Sequence, residues 1–215
     1  MWNFLRPDSK FTHYAYKFCD LIALNLWMVI SSLPVITIGA STAAMHYVLL
    51  KIYRSDAHGG ITCCFWRAFR DNFKQATPVW LVFLLLELAI GFDLYLFGTG
   101  ALTLPAFVKY LLYVSAAILY LGMNWFFILQ SRYANPVKVT VRNALLFCIF
   151  HFLDTLLIGV FTCIPYAAAL LYPPAFPLVL ICGFALTGIL CTSLYHRIFI
   201  KHEQTEEEVL PIGQS

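Results

Sequence analysis

Long apolar runs alternate with short polar segments along most of the chain. Each run reaches or approaches the ~20 residues that an α-helix needs to cross the hydrocarbon core of a bilayer. The pattern predicts an all-α membrane protein in which one integral membrane domain, residues 1–205, precedes a flexible cytoplasmic tail, 206–215. Six transmembrane helices are expected, at about residues 17–34, 37–53, 78–97, 106–130, 144–171 and 175–200.

The second predicted span is the weakest of the six. It carries no charge before Lys51, but Gly39, Ser41, Thr42 and His46 dilute its apolar character. If it crosses the membrane, the stretch "SSLPVITIGAST" before it is a turn between two helices. If it does not, the same stretch is a kink in one long helix or a dip into the membrane.

The distribution of positive charge favours the turn. Lys and Arg concentrate on the cytoplasmic side of membrane proteins. Six spans with the N-terminus inside place every one of the 14 Lys and Arg residues on that side except Lys109. Five spans would move Arg6, Lys10 and Lys17 across the membrane and weaken this bias. We therefore expect six spans with both termini in the cytoplasm.

The residues of the turn favour close helix packing. Pro34 lacks a backbone donor and breaks the helix, and Gly39 and Ala43 form a small-xxx-small pair that lets two helices approach closely in lipid. Two roles remain open for the turn: it closes a helical hairpin, or it presents Thr37 and Ser41 to a partner outside the cell. The small residues favour the hairpin.

Residues 61–76, between the second and third spans, are predicted to form an interfacial amphipathic helix on the cytoplasmic side. Such a helix buries its apolar face among acyl chains and turns its basic face to anionic headgroups. It either orients the following span or docks a cytoplasmic partner. The aromatic face consists of Phe65, Trp66, Phe69 and Phe73, and the basic flank of Arg67, Arg70 and Lys74.

Composition supports the membrane class. The chain is 61% hydrophobic and 12% charged, with a mean hydropathy of +0.77, whereas soluble domains are about 25% charged. Membrane lipids are therefore expected partners, and a net charge of +3 gives no support for nucleic-acid binding. The sequence contains no metalloprotease, nucleotide-binding or nucleophile-elbow motif. We therefore predict a protein that is not an enzyme and needs no cofactor.

Polar residues at membrane depth are the candidate functional residues, because ionisable groups are costly in hydrocarbon. They build either a pocket for a substrate or ion, or hydrogen bonds that hold helices together. His46, His151 and Asp154 have suitable ligand types for a metal, but three ligands on two helices are too weak a pattern to predict a metal site. The candidates are Glu87, His151, Asp154, His46 and Asn124.

Several of these features together resemble the YesL family of bacterial membrane proteins, which carries a domain of unknown function. The resemblance extends over roughly residues 11–200 and rests on Asn25, the Leu33-Pro34…Thr37…Gly39 turn, the Ala43-Ala44 pair and the Phe65…Phe69…Asn72-Phe73 helix. It implies a multi-pass protein of the plasma membrane, chiefly of Gram-positive bacteria, whose gene often neighbours carbohydrate transporters and glycoside hydrolases. It implies no catalytic residue.

Three functions follow as expectations. The first is a non-enzymatic accessory protein of carbohydrate uptake that packs against, or regulates, the permease of a sugar ABC transporter. The second is a small substrate-binding or transport subunit, in which Glu87, His151 and Asp154 face one cavity. The third is a cell-envelope factor acting on lipid-linked sugars.

Overall fold

The fold was obtained as a computed structural model that describes residues 10–54, 60–100 and 105–209. Within these ranges the chain is helical and contains no strand. Residues 210–215 of the predicted tail lie outside them, while residues 206–209 continue the last helix. The helices are α1 (Lys10–Ser31), α2 (Ile38–Tyr53), α3 (Ile61–Gly98), α4 (Ala106–Arg132), α5 (Val137–Phe150), α6 (Phe152–Leu171), α7 (Phe176–Leu178) and α8 (Phe184–Val209).

Five of the helical segments in the described residues are long and apolar enough to cross a membrane. The first predicted span, in α1, is not among them, because Lys17, Asp20 and Asn25 lower its hydropathy. The structure therefore supports a helical membrane protein, and the sixth span stays a prediction. The five segments are Val35–Tyr53, Ile61–Gly98, Phe107–Arg132, Phe152–Leu171 and Pro173–Lys201.

Helix α3 joins two elements that the sequence pattern separates. The predicted surface helix 61–76 and the predicted span 78–97 form one helix of 38 residues. At about 1.5 Å per residue it is roughly 57 Å long, well beyond the ~30 Å of hydrocarbon. Pro78 lies inside this helix. Its missing N–H leaves the carbonyl of Lys74 without its helical donor, but the helix continues through it.

The predicted span 144–171 is divided in the structure. Helix α5 ends at Phe150, and His151 has the non-helical angles φ −118° and ψ 49° before α6 begins. The last predicted span, 175–200, is also subdivided: a 3₁₀ turn at Pro173–Ala175, the short α7 and a π turn at Val179–Gly183 precede α8. Sequence periodicity does not report such local changes in backbone angles.

The aromatic face of α3 packs against other helices of the protein. Phe65 is fully buried in an apolar cluster with residues of α1 and α2, and Trp66 meets Trp27 of α1 edge to face, with ring centroids 5.5 Å apart. The expectation that Phe65 faces the acyl chains is therefore corrected, because α1 and α2 cover it. Phe73 at the end of this aromatic row is exposed. The basic flank of Arg67, Arg70 and Lys74 is exposed as well.

The turn before α2 is closed by its own side chains. The Ser31 hydroxyl donates to that of Ser41 at 2.9 Å, and the Thr37 hydroxyl lies within reach of the carbonyls of Ser31 and Pro34. Ser41 is fully buried. These hydroxyls are used within the turn, as a hairpin requires.

Gly39 allows α2 to contact α3 and α4. A Cβ atom at this position would lie 2.6 Å from Cβ of Trp80, 2.9 Å from the carbonyl oxygen of Ala76 and 3.1 Å from Cε1 of Phe127. Two of these neighbours belong to the backbone or lie directly beside it, so they cannot move away. Ala43, one turn further along α2, is fully buried in the main apolar cluster. Small side chains therefore set the distance between these helices.

Replacing Gly39 by Ala should destabilise the protein by about 1–3 kcal/mol, because the added methyl group overpacks the contact with Trp80 and Ala76. Gly91 of α3 is the matched control, since a Cβ there meets nothing within 4 Å. Gly91→Ala should leave the stability unchanged or slightly raised. Reversible unfolding of both variants in detergent micelles measures the difference, and equal stability of the two variants would contradict this account of the hairpin.

Candidate functional site

A cavity of about 90 Å³ lies where six helices converge. Its walls come from α1, α2, α3, α4, α6 and α8, so it occupies the centre of the bundle. Of the predicted candidates, His46 of α2 and Asn124 of α4 line it. Ligand sites in helical bundles are built in this way, from side chains of facing helices. We therefore take this central cavity as the candidate functional site.

His46 is the most secluded polar side chain of the central cavity. It is only 1% exposed, and its Nδ1 atom has no hydrogen-bond partner among the described residues. Its ring stands edge to face against that of Tyr195, with centroids 5.9 Å apart. A buried polar atom without a partner is unfavourable. His46 is thus a buried polar residue of the cavity wall whose Nδ1 atom the fold leaves without a partner among the described residues.

Asn124 belongs to a polar cluster that connects α4 with α6. Its Nδ2 donates to the carbonyl of Tyr120 at 2.8 Å, and the Tyr120 hydroxyl lies 2.7 Å from Oγ1 of Thr162. The thiol of Cys163 donates to the same hydroxyl at 3.2 Å. Tyr120, Asn124 and Thr162 all line the central cavity. The cluster therefore fixes one polar wall of the site.

Three threonines of the central cavity donate their protons to their own helices. The hydroxyl of Thr42 donates to the carbonyl of Ile38 at 2.8 Å, that of Thr162 to Ile158 at 2.9 Å, and that of Thr187 to Gly183 at 3.1 Å. A hydroxyl oxygen that donates in this way keeps its lone pairs as acceptors.

The remaining wall is apolar and rich in methionine. All the methionines that the structure describes, Met28, Met45 and Met123, line the central cavity. They lie far apart in the sequence, so no local motif indicates this arrangement. Met side chains are flexible and polarisable and suit a surface that adapts to a ligand. Trp80 also lines the cavity, and its Nε1 donates to the carbonyl of Val35 at 2.7 Å.

Three of the predicted candidates are not among the residues that line this cavity. Glu87 lies in the outer half of α3, His151 occupies the break between α5 and α6, and Asp154 follows in the first turn of α6. His151 therefore lies at the junction of two helices, and its ring packs 5.5 Å from that of Phe147. The structure brings His46 and Asn124 together but does not add Glu87, His151 or Asp154 to them.

Metal ligation is not indicated in the described part of the chain. No group of three or more His, Cys, Asp or Glu residues there could hold a metal ion. Neither His151 nor Asp154 lines the cavity that contains His46. We therefore build no chemistry on a metal.

Asn25 positions the α8 wall of the central cavity. It is fully buried, its Nδ2 donates to the carbonyl oxygens of Leu180 at 2.7 Å and Val179 at 3.3 Å, and its Oδ1 accepts from the backbone N–H of Ala185 at 2.9 Å. These backbone groups belong to the π turn and the start of α8, where the helical hydrogen-bond pattern changes. The next turn of α8 carries Thr187, a cavity residue.

The fold and the composition define an all-helical integral membrane protein. A family model described as a protein of unknown function, DUF624, matches residues 21–94, roughly a third of the chain. The matched segment includes Asn25, the turn around Pro34, and α2. The chain is thus similar over this segment to a family of unknown function. No curated protein and no solved structure matches it.

Replacing Asn25 by Leu should destabilise the protein by about 2–4 kcal/mol, because the buried N–H of Ala185 and the carbonyl of Leu180 both lose their side-chain partner. The measurement is unfolding in micelles. Hydrogen exchange should also show faster exchange at Ala185 than in the wild type. Unchanged protection of Ala185 would contradict the role given to Asn25.

Proposed function

We propose that this chain is a non-enzymatic accessory protein of carbohydrate uptake in the bacterial plasma membrane. It packs against, or regulates, the permease of a sugar ABC transporter. The observation that carries the proposal is the outer half of α3, which holds a carboxyl group at membrane depth and contains no fully buried residue.

From Pro78 to Gly98 no residue of α3 is buried. Large apolar side chains project from this half of the helix, among them Leu85, Phe92 and Tyr95. Acyl chains are as apolar as these side chains, so lipid alone can cover them. The exposed apolar surface is consistent with a membrane span but does not by itself require a protein partner.

Glu87 is the residue of α3 that calls for a protein partner in the membrane. Its side chain is half-exposed, while its Oε1 atom is covered by the chain itself and has no hydrogen-bond partner among the described residues. The hydrocarbon core of a bilayer offers no donor, and an unsatisfied polar group there is costly. A helix of a partner protein that carries a hydroxyl or amide donor would satisfy this carboxyl group.

Gly91 lies one turn after Glu87 on the same face of α3. A Cβ atom at Gly91 would meet nothing within 4 Å, so the backbone is open to close approach from outside. Small residues at such a position allow two membrane helices to pack tightly. Glu87 and Gly91 together define a docking face for a transmembrane helix, which we call the α3 docking face.

The choice of a sugar permease rests on the resemblance to the YesL family, whose genes often neighbour carbohydrate transporters. The match of residues 21–94 to a family of unknown function is compatible with it and names no partner.

The proposal also includes a topology of six spans with both termini in the cytoplasm, in which α1 is the first span. Helix α1 is 22 residues long and packs against α2.

Cysteine labelling tests this topology. In a cysteine-free background, Thr99→Cys at the end of α3 should react with a membrane-impermeant maleimide added to intact cells. Lys138→Cys, at the start of α5, should react only after the inner face becomes accessible in inverted vesicles, because positive residues concentrate there. Labelling of Lys138→Cys in intact cells would overturn the proposed orientation.

Affinity purification from membranes of the native host tests the partner. Sugar-permease subunits, identified by mass spectrometry, should co-purify with the tagged wild-type protein in mild detergent. Glu87→Leu and Gly91→Leu should each reduce their recovery at least about tenfold, because one removes the buried polar contact and the other blocks close approach; a loss of about 1.4 kcal/mol is tenfold in affinity.

Asp93→Asn is the matched control for this experiment. Asp93 is an exposed carboxylic acid of the same half of α3, but six residues after Glu87 it lies off the face that Glu87 and Gly91 share, so its substitution should leave recovery of the permease unchanged. Folding of all variants is checked by size-exclusion chromatography and helical circular dichroism. A folded wild-type protein that recovers no permease, or equal recovery with Glu87→Leu, would overturn the proposed function.

A further inference from the structure

We infer that the central cavity binds a small uncharged molecule that donates hydrogen bonds through hydroxyl groups, a polyol between glycerol and erythritol in size. This inference does not depend on the α3 docking face or on a transporter partner. It rests on the polarity, the charge and the volume of the central cavity.

The polarity of the cavity wall indicates a donor. The hydroxyls of Thr42, Thr162 and Thr187 donate to carbonyls of their own helices, and the amide of Asn124 and the indole of Trp80 also donate to backbone carbonyls. The protons of the three threonine hydroxyls and of the Trp80 indole are therefore engaged, while the threonine oxygens keep lone pairs. A molecule that brings its own hydroxyl protons complements these oxygens, and the second amide proton of Asn124 and the hydroxyl of Tyr166 are the donors that face acceptors of such a molecule.

His46 adds a polar group without a protein partner. It is 1% exposed, lines the central cavity, and its Nδ1 atom makes no hydrogen bond within the described residues. A neutral imidazole nitrogen either donates or accepts, depending on the tautomer. A hydroxyl group can serve as the partner of an imidazole nitrogen in both cases, whereas an ether oxygen only accepts and a protonated amine only donates.

The absence of charge in the wall indicates an uncharged molecule. None of the described residues that line the central cavity is Asp, Glu, Lys or Arg. An ion held here would be desolvated without an opposite charge, which costs several kcal/mol. The thioethers of Met28, Met45 and Met123 are ligand types that suit Cu(I), but they bring no negative charge to neutralise it.

The rest of the wall suits the carbon skeleton of a polyol. Aromatic rings line the cavity on several sides, from Trp80, Phe127, Tyr166 and Phe184, and their faces pack well against C–H groups. The methionine side chains adapt to the remaining shape. Sites for small molecules have this character in general: mostly apolar walls with a few well-placed polar groups.

The volume limits the size of the molecule. A cavity needs ~10–15 Å³ on this scale for each water, so about 90 Å³ holds roughly six to nine water-sized groups. Glycerol and erythritol fall within this range of non-hydrogen atoms. A hexose, with about twelve, exceeds it. A polyol of this size therefore fills the central cavity, whereas a monosaccharide would extend out of it.

Saturation-transfer NMR on the purified full chain in lipid nanodiscs tests the inference. Glycerol and erythritol should receive saturation from the protein and compete with each other. Three compounds should not compete: glucose, which is too large, tetramethylammonium, which is charged, and 1,2,3-trimethoxypropane, which has no hydrogen-bond donor. Competition by trimethoxypropane as strong as that by glycerol would overturn the donor argument, and competition by tetramethylammonium would overturn the charge argument.

Two variants locate the binding. Thr42→Val combined with Thr187→Val keeps the side-chain shape but removes two acceptor oxygens, and should weaken glycerol binding at least fivefold. Thr140→Val is the matched control, since Thr140 is also buried and donates to the carbonyl of Pro136 within its own helix but does not line the central cavity. Equal weakening in both variants, or none in either, would overturn the assignment to this cavity.

The same nanodisc preparation tests whether the central cavity binds a soft metal ion instead of a polyol. Replacing Met28, Met45 and Met123 together by Leu conserves most of the volume and removes the three thioethers that could bind a soft metal. Displacement of glycerol by Ag⁺, a stable analogue of Cu(I), that disappears in this triple variant would overturn the inference in favour of a soft-metal site.

Discussion

The arrangement of the bundle depends on Asn25, a single amide that holds two helices where the regular backbone pattern is interrupted. The π turn at Val179–Gly183 redirects the backbone hydrogen bonds at the start of α8, and in a membrane such groups must find partners inside the protein. Asn25 provides both an acceptor and donors to them. Because the turn lies directly before α8, its conformation sets which α8 side chains meet α2. Gly188 shows how close this contact is: a Cβ there would lie 2.5 Å from Cδ1 of Leu49.

The second constraint is the contact of α2 with α3 and α4 through Gly39. Asn25 binds the start of α8, and Gly39 lets α2 pack against α3 and α4. Together these contacts place the N-terminal half of the chain and the last helix around one space. Several polar groups of the central cavity that lies in this space, such as those of Thr42 and Asn124, donate to carbonyls of their own helices, and Tyr120 and Thr162 pair with each other on one side of it. A functional site of this kind needs no charged residue, and for that reason it differs from the one that ionisable residues alone suggest.

The sequence carries the membrane class and the close helix contact at Gly39, because hydropathy and small-residue spacing are local properties of the chain; Asn25 stands out in the sequence only through the family resemblance, and its bonds to the start of α8 come from the structure. Two features cannot be predicted from the sequence because they depend on contacts between distant parts of the chain. The amphipathic pattern predicts that Phe65 faces lipid, but α1 and α2 cover its side chain. The cavity gathers methionines from three helices, and only their packing brings them together. Of the polar residues expected at membrane depth, His46 and Asn124 line one cavity, and Glu87, His151 and Asp154 are not part of its wall, because hydropathy gives the depth of a residue and not the direction of its side chain.

The missing hydrogen bond at Pro78 has a mechanical consequence. It divides α3 into an N-terminal half with buried residues and a C-terminal half with none, and a helix bends most readily where its backbone ladder is interrupted. Trp80, two residues beyond, contributes to the cavity wall and also holds the carbonyl of Val35 in the α1–α2 turn. A sideways force on the C-terminal half of α3 would therefore bend the helix at Pro78. The cavity wall lies close to this bend, so the bend would change the shape of the cavity.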